Sequence, residues 1–136
     1  MSRYILISIG GLVVLVILIL ILKRRKNRIK PEYFKQKWQD LQKLCANRDS
    51  WPMALLDADG LLDEALKKRR FKGKSMGERM VSAQRDFSDN DTLWFAHNMA
   101  KKVAAESIKR LRESDVKKSL VGIRQGLRDL GVLNDK

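Results

Sequence analysis

The chain has 136 residues, of which 29 are Lys or Arg and 16 are Asp or Glu, so its formal net charge is +13. This length allows one small domain beside an apolar segment, but not two domains with separate cores. The single cysteine, Cys45, excludes an internal disulfide and agrees with a reducing compartment such as the cytoplasm.

An uninterrupted apolar run extends from Tyr4 to Leu22 without a charge, a proline or an amide side chain. A helix of this length reaches about 28 Å, close to the roughly 30 Å hydrocarbon core of a bilayer. A lone segment in lipid must satisfy its own backbone hydrogen bonds, and only a helix does so. The run therefore predicts a single transmembrane helix over residues 4–22, preceded by a short outer N-terminus at residues 1–3.

Six cations follow the apolar run with no acid among them, and we call them the juxtamembrane cluster. Its members are Lys23, Arg24, Arg25, Lys26, Arg28 and Lys30. An excess of Lys and Arg marks the cytoplasmic side of a membrane helix. We expect a single-pass protein of the cell (inner) membrane, with its N-terminus outside and its C-terminal domain in the cytoplasm.

A cleavable signal peptide is the competing interpretation of the same run. It would need a basic start, an apolar stretch of about 7–15 residues and a small-residue cleavage site. Here the apolar stretch is longer, the cations follow it and no Ala-x-Ala pattern is present. The pattern favours an uncleaved anchor, with the juxtamembrane cluster facing anionic lipid at about 1 kcal/mol per cation.

Pro31 marks the boundary between the membrane helix and the rest of the chain. Proline cannot continue a helix, and it biases the preceding residue toward extended geometry. We predict a polybasic hinge over residues 23–31, a cytoplasmic helical bundle over residues 32–133 and a C-terminal tail over residues 134–136.

Apolar residues recur at helical spacing in the predicted bundle, and no stretch alternates with period two. The first helix is predicted over residues 32–46, with Phe34 on its buried stripe. The second is predicted to begin after Asp49 or Ser50 and to end in the cations 67–70, which favour a helix C-terminus.

Three further helices are predicted downstream. The sequence from Ser75 to Glu78 matches a capping box, which predicts a short helix to about residue 85. Asp91 is predicted to cap a longer helix that extends to Ile108. Ser114 is predicted to cap the last helix, and Gly131 is placed to end it. The predicted fold class is all-α, a four- to five-helix bundle after one transmembrane helix.

The sequence offers few candidates for chemistry. Asp57, Asp59, Asp63 and Glu64 are dispersed around the second predicted helix, and we expect them to be solvated. His97 is the only histidine, and a catalytic base at this position would need a partner that the sequence does not offer. We therefore predict no catalytic residue, no metal site and no cofactor.

A basic surface on the last third of the chain is the best candidate for an interaction site. Its candidate members are His97, Lys101, Lys102, Lys109, Arg110 and Arg112. For His97 the alternative is a packing or hydrogen-bonding role inside the bundle, and for the cations it is simple solvation.

Several short motifs are spread through the predicted bundle. They are Trp51, Ala58-Asp59, Leu61-Leu62-Asp63, Gly73, Met76-Gly77-Glu78-Arg79, Trp94-Phe95-Ala96-His97, Leu127 and Leu130-Gly131-Val132-Leu133. In these motifs the chain resembles a family of short single-pass membrane proteins of candidate-phylum bacteria. The cytoplasmic domains of that family are similar to the HEPN (higher eukaryotes and prokaryotes nucleotide-binding) superfamily of helical bundles, many of them dimeric ribonucleases.

The resemblance implies a nuclease signature of an arginine, four to six residues and a histidine, which this chain lacks. Ala100 stands where the arginine would be, Lys101 replaces its polar partner, and Ala105 stands where the histidine would be. Alanine carries no titratable group, so it gives no general acid–base catalysis.

The first functional hypothesis is therefore a membrane-anchored, non-enzymatic interaction domain that binds a protein partner or a second copy of itself. The alternative is an RNA- or nucleotide-binding HEPN-like domain that has lost ribonuclease activity. Because residues 31–136 carry a net charge of +6, nucleic acid is a candidate partner alongside protein and lipid.

Overall fold

The computed structural model describes residues 2–26, 28–108 and 110–134. In these ranges the fold is all-helical, without a strand, and the predicted fold class is confirmed. The helices are α1 (Ser2–Lys26), α2 (Pro31–Leu44), α3 (Trp51–Lys68), α4 (Met76–Ser82), α5 (Asn90–Ala104) and α6 (Glu113–Asp129), with a 3₁₀ turn at Arg48–Ser50.

Helix α1 stands apart from the bundle. Its segment Ser2–Arg24 is long and apolar enough to cross a membrane. The most apolar 18-residue window of that segment has a mean hydropathy of 3.4, and none of the window is buried by protein. The helix continues beyond residue 22, through the first cations, to Lys26. A break follows, and Pro31 is the first residue of α2.

Helix α3 is the centre of the bundle, and it contacts α2, α4, α5 and α6. Its buried stripe includes Leu55, Leu62 and Leu66, none of which has any exposed surface. Full burial of a leucine contributes about 1.5–3 kcal/mol. These side chains therefore fix α3 between the α2 layer on one side and the α5–α6 pair on the other.

Helices α5 and α6 approach each other closely because small residues of α6 face α5. A Cβ added at Gly122 would lie 2.6 Å from Thr92 Cγ2 and 3.3 Å from the Thr92 carbonyl oxygen. A Cβ at Gly126 would lie 3.0 Å from Leu93 Cδ1. The spacing between the two helices is therefore set by the absence of side chains at these positions.

The capping box is present in part, but two other predicted helix starts were wrong. The Ser75 hydroxyl accepts a hydrogen bond from the Glu78 amide, as predicted, while the Glu78 carboxylate accepts from Lys74 N instead of Ser75 N. Helix α5 is capped by Asp89, not Asp91. Helix α6 begins one residue before Ser114, without a side-chain cap.

The ends of α3 and α5 use non-glycine residues in the left-handed region. Arg70 has a φ of 64° and Glu106 a φ of 54°. After each of them the next amide bonds back to the last turn, from Phe71 to Leu66 and from Ser107 to Lys102. The predicted extension of α5 to Ile108 was therefore wrong, because the chain reverses at Glu106.

Gly131 ends α6 as predicted, with a φ of 71°. Its amide donates to the Arg128 carbonyl at 2.8 Å, and the Val132 amide donates to the Leu127 carbonyl at 3.1 Å. This pair of bonds is the Schellman motif. It returns Val132 and Leu133 to the core, where both are buried.

The close contact between α5 and α6 gives opposite expectations for two helical glycines. We expect Gly122→Ala to lower the free energy of unfolding by about 1–2 kcal/mol, because overpacking exceeds the gain in helix propensity. Gly60→Ala in α3 is the matched control, since no atom outside its own helical turn lies within 4 Å of the added Cβ. It should raise stability by about 1 kcal/mol. Denaturant unfolding of the full-length protein in micelles, followed by tryptophan fluorescence, measures both, and equal effects would contradict the packing argument.

Candidate interaction site

His97 lies inside the bundle, and its imidazole is hydrogen-bonded to the Asp59 carboxylate of α3. Only 8% of its surface is exposed, so its assignment to an exposed interaction surface was wrong. Its Nδ1 lies 3.0 Å from Asp59 Oδ1 and 3.1 Å from Oδ2. The Trp94 ring packs edge-on against the imidazole, with 5.9 Å between the centroids.

The Asp59 carboxylate supplies the partner that the sequence did not reveal. A carboxylate at Nδ1 holds the proton on that nitrogen and fixes the orientation of the ring. His97 lines none of five cavities that lie among the described residues. Within the same residues, no group of three His, Cys, Asp or Glu side chains could hold a metal ion. The arrangement therefore fits a buried polar link between α3 and α5.

A second acid of α3 is also paired rather than solvated. Arg79 of α4 donates to Asp63 from Nε at 2.7 Å and from Nη2 at 3.0 Å, and its Nη1 donates to the Gly73 carbonyl. Burial alone would raise the pKa of Asp63. The hydrogen bonds and charge of Arg79, together with Lys67, outweigh that effect and hold the pKa below its ordinary value.

Glu64 is the third acid of α3 that has a partner. It lies near the C-terminal end of α3, beside the start of α2. Its Oε2 accepts a hydrogen bond of 2.8 Å from the Tyr33 hydroxyl. This bond raises the pKa of Tyr33, with smaller contributions from burial and from the charge of Glu64. The phenol therefore acts as a donor at neutral pH, and it ties the two helix ends together.

The predicted surface cations lie at the end of α5 and in the segment before α6. Lys101 and Lys102 are exposed on the last turn of α5, and Arg112 is exposed just before α6. Arg110 lines a cavity of about 430 Å³ that also contains Arg48, Asp49 and Glu106. Two cations and two acids cancel there, so this cavity does not favour an anionic ligand. Lys109 lies outside the described residues.

A groove between α2 and α3 is the surface that sequence analysis missed. Its volume is about 460 Å³. Met53 and Leu56 in it are 58% and 40% exposed, and Tyr33 is also exposed. Asp40, Asp57 and Glu64 line it, as does one cation, Lys37. Met53 and Leu56 are three residues apart and lie off the buried stripe of α3, and that spacing was the available signal.

The groove runs the length of a helical hairpin. Tyr33 and Glu64 mark one end, and at the other end Trp51 Nε1 donates to the Cys45 carbonyl at 3.0 Å. Cys45 is half-buried beside this turn, where burial raises the pKa of its thiol. The higher pKa suppresses the reactive thiolate, which fits a structural role for this cysteine.

The juxtamembrane cluster begins in the last turn of α1 and ends at the residue before α2. The side chains of Lys23, Arg24, Arg28 and Lys30 are exposed, while those of Arg25 and Lys26 lie outside the described part. Arg28 and Lys30 also line a cavity of about 290 Å³ with Lys68 from the last turn of α3. The cluster is therefore continuous with cations of the bundle.

No protein family, curated protein or solved structure matches this chain. The HEPN resemblance therefore stays a prediction. At the position where it would place the arginine, Ala100 is 2% exposed and belongs to the core.

The His97–Asp59 contact predicts an energetic coupling between α3 and α5. In a double-mutant cycle of Asp59→Ala and His97→Ala, we expect a coupling of about 1.5–3 kcal/mol, because each single change leaves a buried polar group without its partner. The measurement is the free energy of unfolding of the full-length protein in micelles. Asp57→Ala, an exposed carboxylate of the same helix, should cost less than about 0.5 kcal/mol. If the effects of the two single substitutions on the free energy of unfolding added up to that of the double substitution, the coupling would be contradicted.

The lowered pKa of Asp63 predicts a loss of stability in acid. A carboxyl whose folded pKa is depressed stabilises the fold above its unfolded pKa of about 3.9, and that contribution is lost as the pH falls through the folded pKa. We expect Asp63→Asn to be less stable than the wild type by roughly 2 kcal/mol at neutral pH, with the difference shrinking below about pH 4. Unfolding curves over a pH series measure this, and a difference independent of pH would contradict the assignment.

Proposed function

We propose that the chain is a single-pass membrane protein whose cytoplasmic helical bundle is a non-enzymatic interaction domain. In this proposal the groove between α2 and α3 binds an amphipathic helix with basic flanks, supplied by a protein partner. The observation that carries the proposal is the acidic, partly apolar groove on a chain whose net charge is +13.

The anchor is supported by the exposure of α1. Its aliphatic side chains are exposed throughout, and none of its most apolar part is buried against the bundle. In water this surface would be unfavourable at about 25 cal/mol per Å². Burial of these side chains in lipid removes that cost. Lipid also requires a backbone that satisfies its own hydrogen bonds, as the helical backbone of α1 does.

The orientation is supported by the juxtamembrane cluster on the bundle side of α1, because Lys and Arg are retained in the cytoplasm. Protease added to the cytoplasmic face of sealed membrane vesicles should digest the bundle. Digestion from the opposite face alone would contradict this orientation.

The partner chemistry follows from the lining of the groove. Tyr33, Met53 and Leu56 offer apolar contact, and three of the four charged residues that line the groove are acids. Binding of an amphipathic helix in a hydrophobic groove is a recurrent mode of peptide recognition. Over residues 33–44 the α2 wall is about 16 Å long, or roughly three helical turns, which sets the length of the bound segment.

The absence of catalysis is supported by the placement of the titratable residues. His97 is buried against Asp59, and Ala100 is a core residue. An acid–base group must reach the reacting atom of a substrate within hydrogen-bond distance. A buried imidazole held by a structural partner is poorly placed for this.

The test is a titration of the full-length protein in nanodiscs with two synthetic helical peptides. Both have three turns and the same apolar face, but one has Lys flanks and the other Glu flanks. We expect the Lys-flanked peptide to bind more tightly, and Met53→Ser combined with Leu56→Ser to weaken it by about ten-fold or more. Fluorescence anisotropy of labelled peptide gives the Kd.

Val81→Ser is the matched control, because Val81 is an exposed valine of α4 and lies outside the groove. It should leave the Kd unchanged. Equal binding of the two peptides, or equal effects of the groove and control changes, would contradict the proposal. A change in the sedimentation of the chain itself on Met53→Ser and Leu56→Ser would identify a second copy as the occupant.

A further inference from the structure

The described part of the linker, residues 28–30, is held to the bundle through Ile29. Ile29 is half-buried and packs against the main core cluster. Lys30 has an extended backbone and its carbonyl accepts from the Tyr33 amide at 3.0 Å. Arg28 and Lys30 therefore flank a residue that is held by the bundle, and their positions relative to α2 and α3 are fixed.

A cationic pocket is formed where this linker meets the last turn of α3. Its volume is about 290 Å³, and its charged lining is Arg28, Lys30, Lys68 and Glu64. Glu64 already accepts a hydrogen bond from Tyr33, and the charges of the lining sum to +2. Tyr33, which is 40% exposed, contributes the apolar wall through its ring, while Phe34 in the same lining is buried. The combination of several cations with one apolar wall suits a ligand with a phosphate and a hydrocarbon part.

The pocket lies close to the expected edge of the bilayer. From Leu22, four helical residues and a two-residue step lead to Arg28, a distance of at most about 13 Å. The polar headgroup region extends about 5–8 Å beyond the hydrocarbon core on each side. The Arg28 backbone therefore lies at most about 5–8 Å outside the headgroup region.

We propose that this pocket binds the phosphate headgroup of an anionic lipid and thereby docks the bundle on the membrane surface. Lys and Arg near an anionic membrane are attracted to its headgroups, and the pocket adds Lys68 of the bundle to the cations of the linker. The proposal rests on the membrane anchorage described above. A tethered site also meets lipid at a high effective concentration, which favours lipid over a soluble phosphate.

The test measures the accessibility of Lys68 in the full-length protein. Nanodiscs are prepared from phosphatidylcholine alone, or with an equal amount of phosphatidylglycerol, and treated with a water-soluble lysine-acylating reagent. Mass spectrometry gives the acylation rate at each lysine. We expect phosphatidylglycerol to slow the acylation of Lys68 about ten-fold or more, while Lys101 and Lys102, exposed on α5, change little and serve as internal references.

Two charge-matched variants separate a defined pocket from diffuse attraction. Arg28→Gln removes a cation that lines the pocket and should reduce the protection of Lys68 about five-fold. Arg85→Gln removes an exposed cation of the bundle outside the pocket and the juxtamembrane cluster, and it should leave that protection within about two-fold of the wild type. Equal losses in the two variants, or no protection in the wild type, would overturn the proposal.

Two further controls distinguish lipid from free phosphate as the ligand, and a wrong pocket from a wrong membrane anchor. Inorganic phosphate added to phosphatidylcholine nanodiscs should not protect Lys68, and protection equal to that with phosphatidylglycerol would overturn the assignment to lipid. If the protein does not incorporate into nanodiscs, the anchor itself is wrong. If it incorporates and Lys68 is unprotected, the pocket alone is wrong.

Discussion

Burial of one face of α3 is the constraint on which the rest of the bundle depends. Leu55, Leu62 and Leu66 leave no surface exposed, and their burial holds α3 against four other helices. Once this face is buried, each of the other faces of α3 lies beside a particular helix. Asp59 points to α5, Asp63 points to α4, and Met53 and Leu56 face the groove beside α2. The polar contacts are thus a consequence of where the apolar stripe lies.

Periodicity predicted this stripe because it is a local property of the sequence. Residues three and four apart share a helix face whatever the rest of the chain does. The all-α class, the break before Pro31 and the glycine end of α6 follow from similarly local chemistry. None of these features needs a contact between distant residues, which is why the sequence was sufficient for them.

The polar pairs needed information that periodicity does not carry. Asp59 and His97 are 38 residues apart, and Asp63 and Arg79 are 16 apart. Only the packing of α3 against α4 and α5 brings them together, so their acids looked solvated in the sequence. The end of α5 was missed for a different reason. Glu106 adopts a left-handed backbone conformation that glycine usually provides, and its side chain gives no signal for it.

Tyr33 and Glu64 have a particular place in this arrangement because they line both the groove and the cationic pocket. The two sites thus share two side chains that are joined by a hydrogen bond of 2.8 Å. A basic flank in the groove and the cations of the pocket both attract the same Glu64 carboxylate. An occupant of the groove that draws Glu64 toward itself would remove an acid from the pocket and so raise the affinity of the pocket for an anion. By linkage, an anion in the pocket would raise the affinity of the groove for its occupant by the same factor. In the two proposals above, the Tyr33–Glu64 bond would therefore couple membrane docking to partner binding.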